Sequence, residues 1–358
     1  MRIAQVSPLY ESVPPKLYGG TERIVHNLTE ELCRMGHEVT LFASGDSVTS
    51  AKLVPCARES LRLGKAREPF APHVYMFEKV KALSENFDII HFHTEYYHFA
   101  LIRDWSVPVV TTMHGRLDLP EYKPLFGEFR ELPLVSISLN QRKPLPDQNW
   151  VGNVYHGLPL ESIPFHPEPN GYLAFLGRIC PEKGIEDAIE IARKTGQKLK
   201  VAAKIDDVEK RYAESIRSKL NSPWVEFIGE ISDREKPAFL GGASALLFPI
   251  QWPEPFGIVM IEALAAGTPV VAYCAGSVPE IIRNEETGFI VNSIDEACEA
   301  VDAILYGRAI SRWTCRRDFE SRFAASRMAK DYLSVYHKVI EAKAAEKAVS
   351  SMTATQLG

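Results

Sequence analysis

Two glutamates with seven residues between them lie in the stretch Trp252-Pro253-Glu254-Pro255-Phe256-Gly257-Ile258-Val259-Met260-Ile261-Glu262-Ala263. Their surroundings give the two carboxylates different jobs. Glu254 sits between two prolines, which fix φ and disfavour helix at the residue before each. It is therefore presented from a loop. Beyond Gly257, Ile258, Ile261, Leu264 and Ala265 recur at helical spacing, so a buried helix is expected to start near Gly257. Glu262 falls more than one turn inside it. The free N–H groups at that helix start form an anion site between the two acids. Carboxylates on either side of a phosphate site suit a ligand with hydroxyls and phosphate, and a nucleotide-sugar is such a ligand. A hydrolytic carboxylate pair is the rival reading. It needs two carboxyls about 5–9.5 Å apart across one bond, which fits less well with a helix start between them.

Other residues offer related chemistry. Arg178 and Lys183 follow the strand-like Tyr172–Leu176 and precede a helix expected from Gly184. A planar fork and a mobile point charge beside a helix N-terminus again suit phosphate. His114 ends the apolar run 107–113, and Gly115 after it lets the chain approach a ligand closely. Gly19-Gly20-Thr21-Glu22 closes the loop after the first strand and opens a helix, so its N–H groups can approach a phosphate. It is not G-x-G-x-x-G, which argues against a dinucleotide dehydrogenase. His91, His93, Glu95 and His98 have the residue types of a metal cluster, and His91 and His93 share one strand face. Tyr96 and Tyr97 beside them offer aromatic faces to a sugar or a flat acceptor.

These groups need a scaffold, and the hydrophobic pattern supplies one. In the first half, strands are expected at 3–6, 38–43, 88–93, 107–113, 134–138 and 152–155, with helices at 21–35 and 76–83. In the second half, strands are expected at 172–176, 199–203, 225–228, 245–249, 270–273 and 288–291. Helices lie between them at 184–194, 208–220, 235–241, 257–266 and 277–282, and one follows at 294–305. Strands alternating with helices indicate parallel doubly wound sheets. Pro159, Pro164, Pro167 and Pro169 mark an irregular connection, where the domain hinge is placed. The chain has 358 residues, more than single cores of about 250–300 residues usually accommodate, so two domains are expected.

A hydrophobic content of 46% and a net charge of −5 give no reason to expect nucleic acid as a partner. The six cysteines have neither C-x-x-C nor zinc-ligand spacing, as reduced thiols of a cytoplasmic protein would. No apolar run reaches the roughly 18–20 residues of a membrane span, and no signal peptide precedes the first strand. A soluble protein is expected, with peripheral membrane contact left open.

With Pro255-Phe256-Gly257 between them, Glu254 and Glu262 resemble the E-x7-E signature of the retaining GT-B glycosyltransferases of family 4. The resemblance extends over nearly the whole chain. It includes Ile3-Ala4-Gln5-Val6-Ser7-Pro8, Gly19-Gly20-Thr21-Glu22, Thr112-Met113-His114-Gly115, the run from Gly177 to Gly184, and Gly267-Thr268-Pro269-Val270-Val271-Ala272. It implies an α/β GT-B fold, with two Rossmann-like domains facing a central cleft. Residues 1–157 would form the acceptor domain and 158–320 the donor domain. A helix at 321–341 would cross back to the first domain, followed by a disordered tail at 342–358. It implies a nucleoside diphosphate-sugar donor and no required cofactor or metal, the diphosphate being held by cations and helix dipoles.

By resemblance, Arg178 and Lys183 hold the donor diphosphate, Glu262 the ribose and Glu254 the sugar hydroxyls. His114 meets the sugar near the reacting centre. Gly19, Gly20, Pro255, Phe256, Gly257 and Ile258 line the donor, and Glu230 and Ile231 contact the base. His93, Glu95, Tyr96 and Tyr97 fall on the acceptor side. Ser277-Val278-Pro279-Glu280 is expected to be structural. Leu17-Tyr18-Gly19-Gly20-Thr21 departs from the K-x-G-G-L form of glycogen and starch synthases, which argues against glucan elongation. The expected activity is retaining transfer of a hexose to a small-molecule, lipid or glycan hydroxyl, with UDP-glucose as the favoured donor. The oligomeric state is left open. A nucleotide-sugar epimerase, a phosphorylase and a non-catalytic sugar-nucleotide binding protein are the alternatives.

Overall fold

The computed structural model describes residues 1–16, 19–307 and 310–356, with side chains to residue 349. Leu17 and Tyr18, part of the departure noted above, and the last two residues of the expected tail lie outside the described residues. The chain divides into two compact units. The first comprises Met1–Ile137, Arg142–Gly157 and the chain from Ala325 onward. The second comprises Ser138–Gln141 and Leu158–Ala324.

The first unit is built on seven parallel strands: β1 Arg2–Val6, β2 Glu38–Ser44, β3 Lys52–Ala57, β4 Ile89–Phe92, β5 Val109–Thr112, β6 Leu134–Ser136 and β7 Trp150–Asn153. Their order is β3-β2-β1-β4-β5-β6-β7. β4 and β5 are buried along their whole length, as expected of central strands covered on both faces. Phe77, Phe92, Phe99 and Phe126 fill one side. Val13, Val25, Leu41 and Ala43 form a smaller cluster. The Gly20–Arg34 helix buries Ile24, Val25, Leu28 and Leu32. It stops at Gly36, whose φ of +84° lets His37 N–H reach the Leu32 carbonyl at 3.1 Å.

Helices at Phe99–Ile102 and Tyr122–Glu128 were not expected from the sequence, and two further differences in this unit have a local explanation. β3 is an additional strand. It carries Pro55, which an edge strand tolerates because its outer side needs no donor. The helix expected from Met76 begins at Phe70, with Pro72 inside its first turn, where a missing N–H costs nothing.

The second unit has six parallel strands: β8 Tyr172–Arg178, β9 Leu199–Lys204, β10 Val225–Gly229, β11 Ala243–Phe248, β12 Val270–Tyr273 and β13 Gly288–Val291. Their order is β10-β9-β8-β11-β12-β13. The 208–220 helix divides at Ile216 into Lys210–Ser215 and Arg217–Leu220. The helix expected at 321–341 is instead two helices, Arg312–Arg322 and Ala325–Gln356. The break has a cause remote in sequence. Leu158 N–H bonds the Phe323 carbonyl at 2.9 Å, and Leu158 bridges to Ala324. That pairing draws residues 323–324 out of helical geometry. The second helix continues to Gln356, through most of the stretch expected as a tail. Arg312 fixes the first helix to its unit. Its guanidinium donates to the carbonyls of His166 (2.7 Å), Ala243 (2.8 Å) and Gly241 (2.7 Å).

In both sheets the order reverses at the first strand, between β1 and β4 and between β8 and β11. Ligands of open α/β sheets bind beyond the carboxyl ends of strands at such a switch point. The candidate residues gather at these two places.

Candidate functional site

In the second unit, β8 ends at Arg178 and passes through a 3-10 turn, Pro181–Lys183, to Gly184. Gly184 has φ +68°, and a Cβ there would lie 1.9 Å from the Pro249 carbonyl oxygen. Only glycine permits that approach. It presses the turn after β8 onto the loop after β11, where Gln251 N–H bonds the Glu182 carbonyl at 2.9 Å. As a result Lys183 Nζ lies 2.5 Å from Glu254 Oε2. The same oxygen accepts from Trp252 Nε1 at 2.9 Å. The ammonium also lies 5.7 Å from the ring centres of both Phe248 and Trp252. Both partners of the ion pair are largely buried, so each charge depends on the other.

The loop carrying Glu254 is fixed from behind. Ser277 N–H donates to the Glu254 carbonyl at 3.0 Å, and Ser277 Oγ to the Phe256 carbonyl at 2.7 Å. Gly276, at φ +56°, fits where a Cβ would be 2.3 Å from the Glu254 nitrogen. Pro255 and Phe256 are buried, and Phe256 meets Phe323 edge-on. Gly257, at φ +75°, then opens the Ile258–Ala266 helix, whose first N–H groups lack intrahelical partners. Glu280, in the segment expected to be structural, accepts from the backbone N–H groups of Leu139 (2.8 Å) and Asn140 (2.7 Å).

Other members of the expected donor set have separate partners. Glu262 is buried and pairs with Lys236 at 3.2 Å, and Lys236 also meets Asp233 at 3.1 Å. Arg178 faces Asp206 at 3.6 Å, and Lys204 meets Asp206 at 2.6 Å. Burial works against the Asp206 charge, but Lys204 and Arg178 outweigh it and hold the carboxyl below its usual range. Glu230 is exposed and Ile231 half-buried, just beyond β10. Gly19 and Gly20 belong to the other unit, at the start of its Gly20–Arg34 helix. A Cβ on Gly19 would lie 2.8 Å from that of Pro15.

In the first unit a polar layer runs across β1, β4 and β5. Gln5, on β1, is in register with His91 on β4. The Gln5 amide contacts Tyr336 Oη at 2.9 Å and His93 Nε2 at 2.8 Å. His93 Nδ1 is 2.8 Å from His114 Nε2. His91 contacts Tyr336 Oη at 2.8 Å and Thr112 Oγ1 at 2.7 Å. His98 is held by Thr94 at 3.0 Å and Thr111 at 2.8 Å, and stacks on Phe92. His156 stacks on His114 at 5.3 Å. The histidines that suggested a metal cluster are thus engaged with hydroxyls, an amide and the His114 ring, and Glu95 with backbone N–H groups. Among the described residues, no group of three or more His, Cys, Asp or Glu could hold a metal ion.

Burial lowers the pKa of His91, His93, His98 and His156 well below the ordinary value and that of His114 to about 3. Glu95 stands at φ +50°, unusual for a residue with a Cβ. One of its oxygens accepts the N–H groups of His114 (3.1 Å) and Gly115 (3.0 Å). Burial nevertheless raises its pKa to about 7, because two hydrogen bonds offset only part of the desolvation. Tyr97 Oη lies 3.3 Å from Tyr10 Oη, and its ring meets Phe70 edge-on at 5.4 Å. Tyr96 lies 5.6 Å from Tyr122.

The sequence reading assigned no role to Gln5, His156, Tyr336, Trp252, Lys236 or Asp206. A polar Gln5 inside an otherwise apolar strand was a usable signal. So was the spacing of Tyr332 and Tyr336, one helical turn apart. Lys236 and Asp206 gave none, because their partners are distant in sequence.

Known proteins carry related sequences and folds. Residues 161–314 match the family model described as glycosyl transferases group 1, and residues 18–150 match glycosyltransferase family 4. A phosphatidyl-myo-inositol mannosyltransferase of Mycobacterium leprae is 26% identical, over 85% of this chain and 87% of that protein. A glycogen synthase of Mycobacterium tuberculosis is 26% identical, over 93% and 95%. Among solved structures, Anabaena HepE in complex with UDP and glucose superposes with a TM-score of 0.71 at 18% identity, covering 94% of this chain and all of that one.

Proposed function

The chain belongs to glycosyltransferase family 4 and has the GT-B fold, and from that premise we propose that it transfers a hexose, with retention, from a nucleoside diphosphate-sugar to a hydroxyl acceptor. UDP-glucose is the favoured donor, in keeping with the UDP and glucose in the HepE complex. The observation that carries the reading is the Lys183–Glu254 pair, set between the carboxyl end of β8 and the helix that opens at Gly257.

The chemical problem is charge. As the anomeric C–O bond breaks, positive charge develops on the sugar and negative charge on the departing diphosphate. Arg178, Lys183 and the N–H groups at Gly257-Ile258 supply the positive field. Without ligand, Lys183 is neutralised by Glu254. An arriving diphosphate competes for the ammonium and releases Glu254 to accept sugar hydroxyls. The ion pair keeps both groups in place and exchanges partners when donor binds. Glu262 would accept the ribose hydroxyls, which requires Lys236 to share it. His114 would meet the sugar. The leaving phosphate would take the acceptor proton on the face it departs from, so that no protein carboxylate is needed as a covalent nucleophile. The epimerase alternative draws no support from the relatives named above.

Thermal stability with UDP, GDP and ADP in large excess tests the donor site. A ligand at 100 times its dissociation constant adds about 2.7 kcal/mol, enough to raise melting by several degrees. We expect a shift with UDP that Arg178→Ala removes. A flat response to all three nucleotides would defeat the reading. Conversion of a UDP-hexose with no acceptor present would favour epimerisation instead.

A further inference from the structure

The second unit carries a cavity of 710 Å³, walled by the Ile185–Thr195 helix, the short helices Lys210–Ser215 and Arg217–Leu220, and the loop that leads into β10. That volume lies within the roughly 300–1,000 Å³ of small-molecule sites. Pro181 and Gly184 line it, but Lys183 and Glu254 do not. The cavity therefore borders the candidate donor site without belonging to it.

Its charged groups are engaged mainly with one another. Lys219 Nζ bonds Glu186 Oε2, and Tyr212 Oη donates to Glu186 Oε1 at 3.2 Å. Arg193 forks onto both oxygens of Glu190, at 2.7 and 2.6 Å. Asp187 Oδ2 accepts from Gln251 Nε2 at 3.0 Å and from Tyr273 Oη at 2.9 Å. Ile189, Ile294 and Trp224 add apolar surface. Trp224 is half-buried, and its carbonyl is tied to β9 by the Leu199 N–H at 2.8 Å. Among the described residues its ring meets no other ring, and its Nε1–H has no acceptor.

Charge decides the class of ligand. Three carboxylates outnumber two cations along the walls, and both cations are paired. A phosphate or carboxylate ligand would have to displace one of those partners against a net negative field. A cationic ligand would find only Asp187 without a cation among the described residues, and that carboxylate already accepts two hydrogen bonds. An uncharged polyhydroxyl ligand meets neither obstacle. Each hydroxyl both donates and accepts, and the ion pairs keep further N–H groups and lone pairs to answer it. A sugar ring also has an apolar C–H face inside its polar rim, which matches an indole face set among polar groups.

We propose that this cavity is a second carbohydrate site, which holds a neutral oligosaccharide with one sugar ring against Trp224, apart from the nucleotide-sugar site. The inference does not depend on the donor reading. Its use to a family 4 transferase is retention: a glycan held there stays at high effective concentration beside the enzyme.

Electrophoresis of the full chain through gels containing a soluble polysaccharide tests this. The probes are an α-glucan, a β-glucan and an α-mannan, with anionic polygalacturonate as the charged comparison. At least one neutral polymer should retard wild type, and polygalacturonate should not. Trp224→Ala should weaken the retention about tenfold, as removal of a central aromatic anchor does. Ser218 is an exposed residue of the same wall. Ser218→Tyr fills the cavity without disturbing the core, so it should abolish retention while the melting shift with UDP stays as in wild type.

Free migration of wild type through all three neutral polymers overturns the proposal. So does retention that survives both substitutions, or retention by polygalacturonate that Ser218→Tyr removes. Failure of the donor reading is separable. A flat response to nucleotides with glycan retention intact defeats that reading alone, and a UDP shift without retention defeats this one alone.

Discussion

Acidification should destabilise the first unit by an amount that follows from its buried titratable groups. His91, His93, His98 and His156 are almost completely buried, and burial holds each well below its ordinary pKa. In the unfolded chain each titrates near 6.5. A group depressed in the folded state contributes stability above its unfolded pKa and loses it as pH falls below. His114, lowered to about 3, behaves in the same way, and each of these histidines therefore costs on the order of 1 kcal/mol by pH 5.5. Two carboxyls act in the opposite sense. Burial raises Glu22 and Glu95 to about 7. Each destabilises the fold as pH rises from near 4.5 through 7, and returns roughly 2 kcal/mol on acidification to pH 5.5.

The net loss from pH 7.5 is on the order of 3 kcal/mol at pH 5.5 and grows as pH falls further, a large part of a typical total stability. Guanidinium unfolding at several pH values measures it. Two variants test its origin. His98→Gln should flatten the profile by on the order of 1 kcal/mol at pH 5.5, and Glu95→Gln should steepen it by roughly 2 kcal/mol. Stability that stays level or rises between pH 7.5 and 4.5 would refute the reasoning, as would a His98→Gln profile that parallels wild type.

Three further outcomes are expected. Arg178→Ala should lower turnover by about 10²–10³, the usual effect of removing one preorganised charge donor, while the melting temperature without ligand changes little; unaltered turnover would remove Arg178 from the leaving-group site. Gly184→Ala combines φ +68° with a Cβ 1.9 Å from a carbonyl oxygen, so it should cost more than about 2 kcal/mol and displace Lys183 from Glu254. Calorimetry showing a native melting temperature would contradict that. Arg312→Ala should destabilise the second unit by about 3 kcal/mol or more, because it leaves several backbone carbonyls without donors, and hydrogen exchange confined to the loss of that unit's protection would locate the effect.

What could be read from the chain depended on the range of the interaction. The central strands were legible because their apolar runs have only one use. Gly257 and Gly184 were legible as helix starts because each stands before a run of helical period. β3 was not, since Pro55 speaks against a strand unless its place at the edge is known. The break at Phe323 was illegible for a different reason: it is imposed by Leu158, far away in sequence. The site divides in the same way. Glu254 and Lys183 could each be picked out, but nothing local shows that they meet across 71 positions. The histidines near β4 read as possible metal ligands because their types were visible and their partners, Thr111, Thr112 and Tyr336, were not.

The same long connections bear on how the protein is made. Gln5 leaves the ribosome well before its partner Tyr336, which lies 331 positions later. The first unit takes a helix from Ala325 onward, whereas the second is nearly all contained in Leu158–Ala324. At 5–20 residues per second, roughly 10–40 s separate the synthesis of β7 from that of the closing helix. During that interval the polar layer on β1, β4 and β5 lacks both tyrosines. The unit begun first is thus finished last. A nascent chain stalled before residue 325 would carry a complete second unit and an open first one, whose exposed sheet face is the surface a chaperone or a protease would meet.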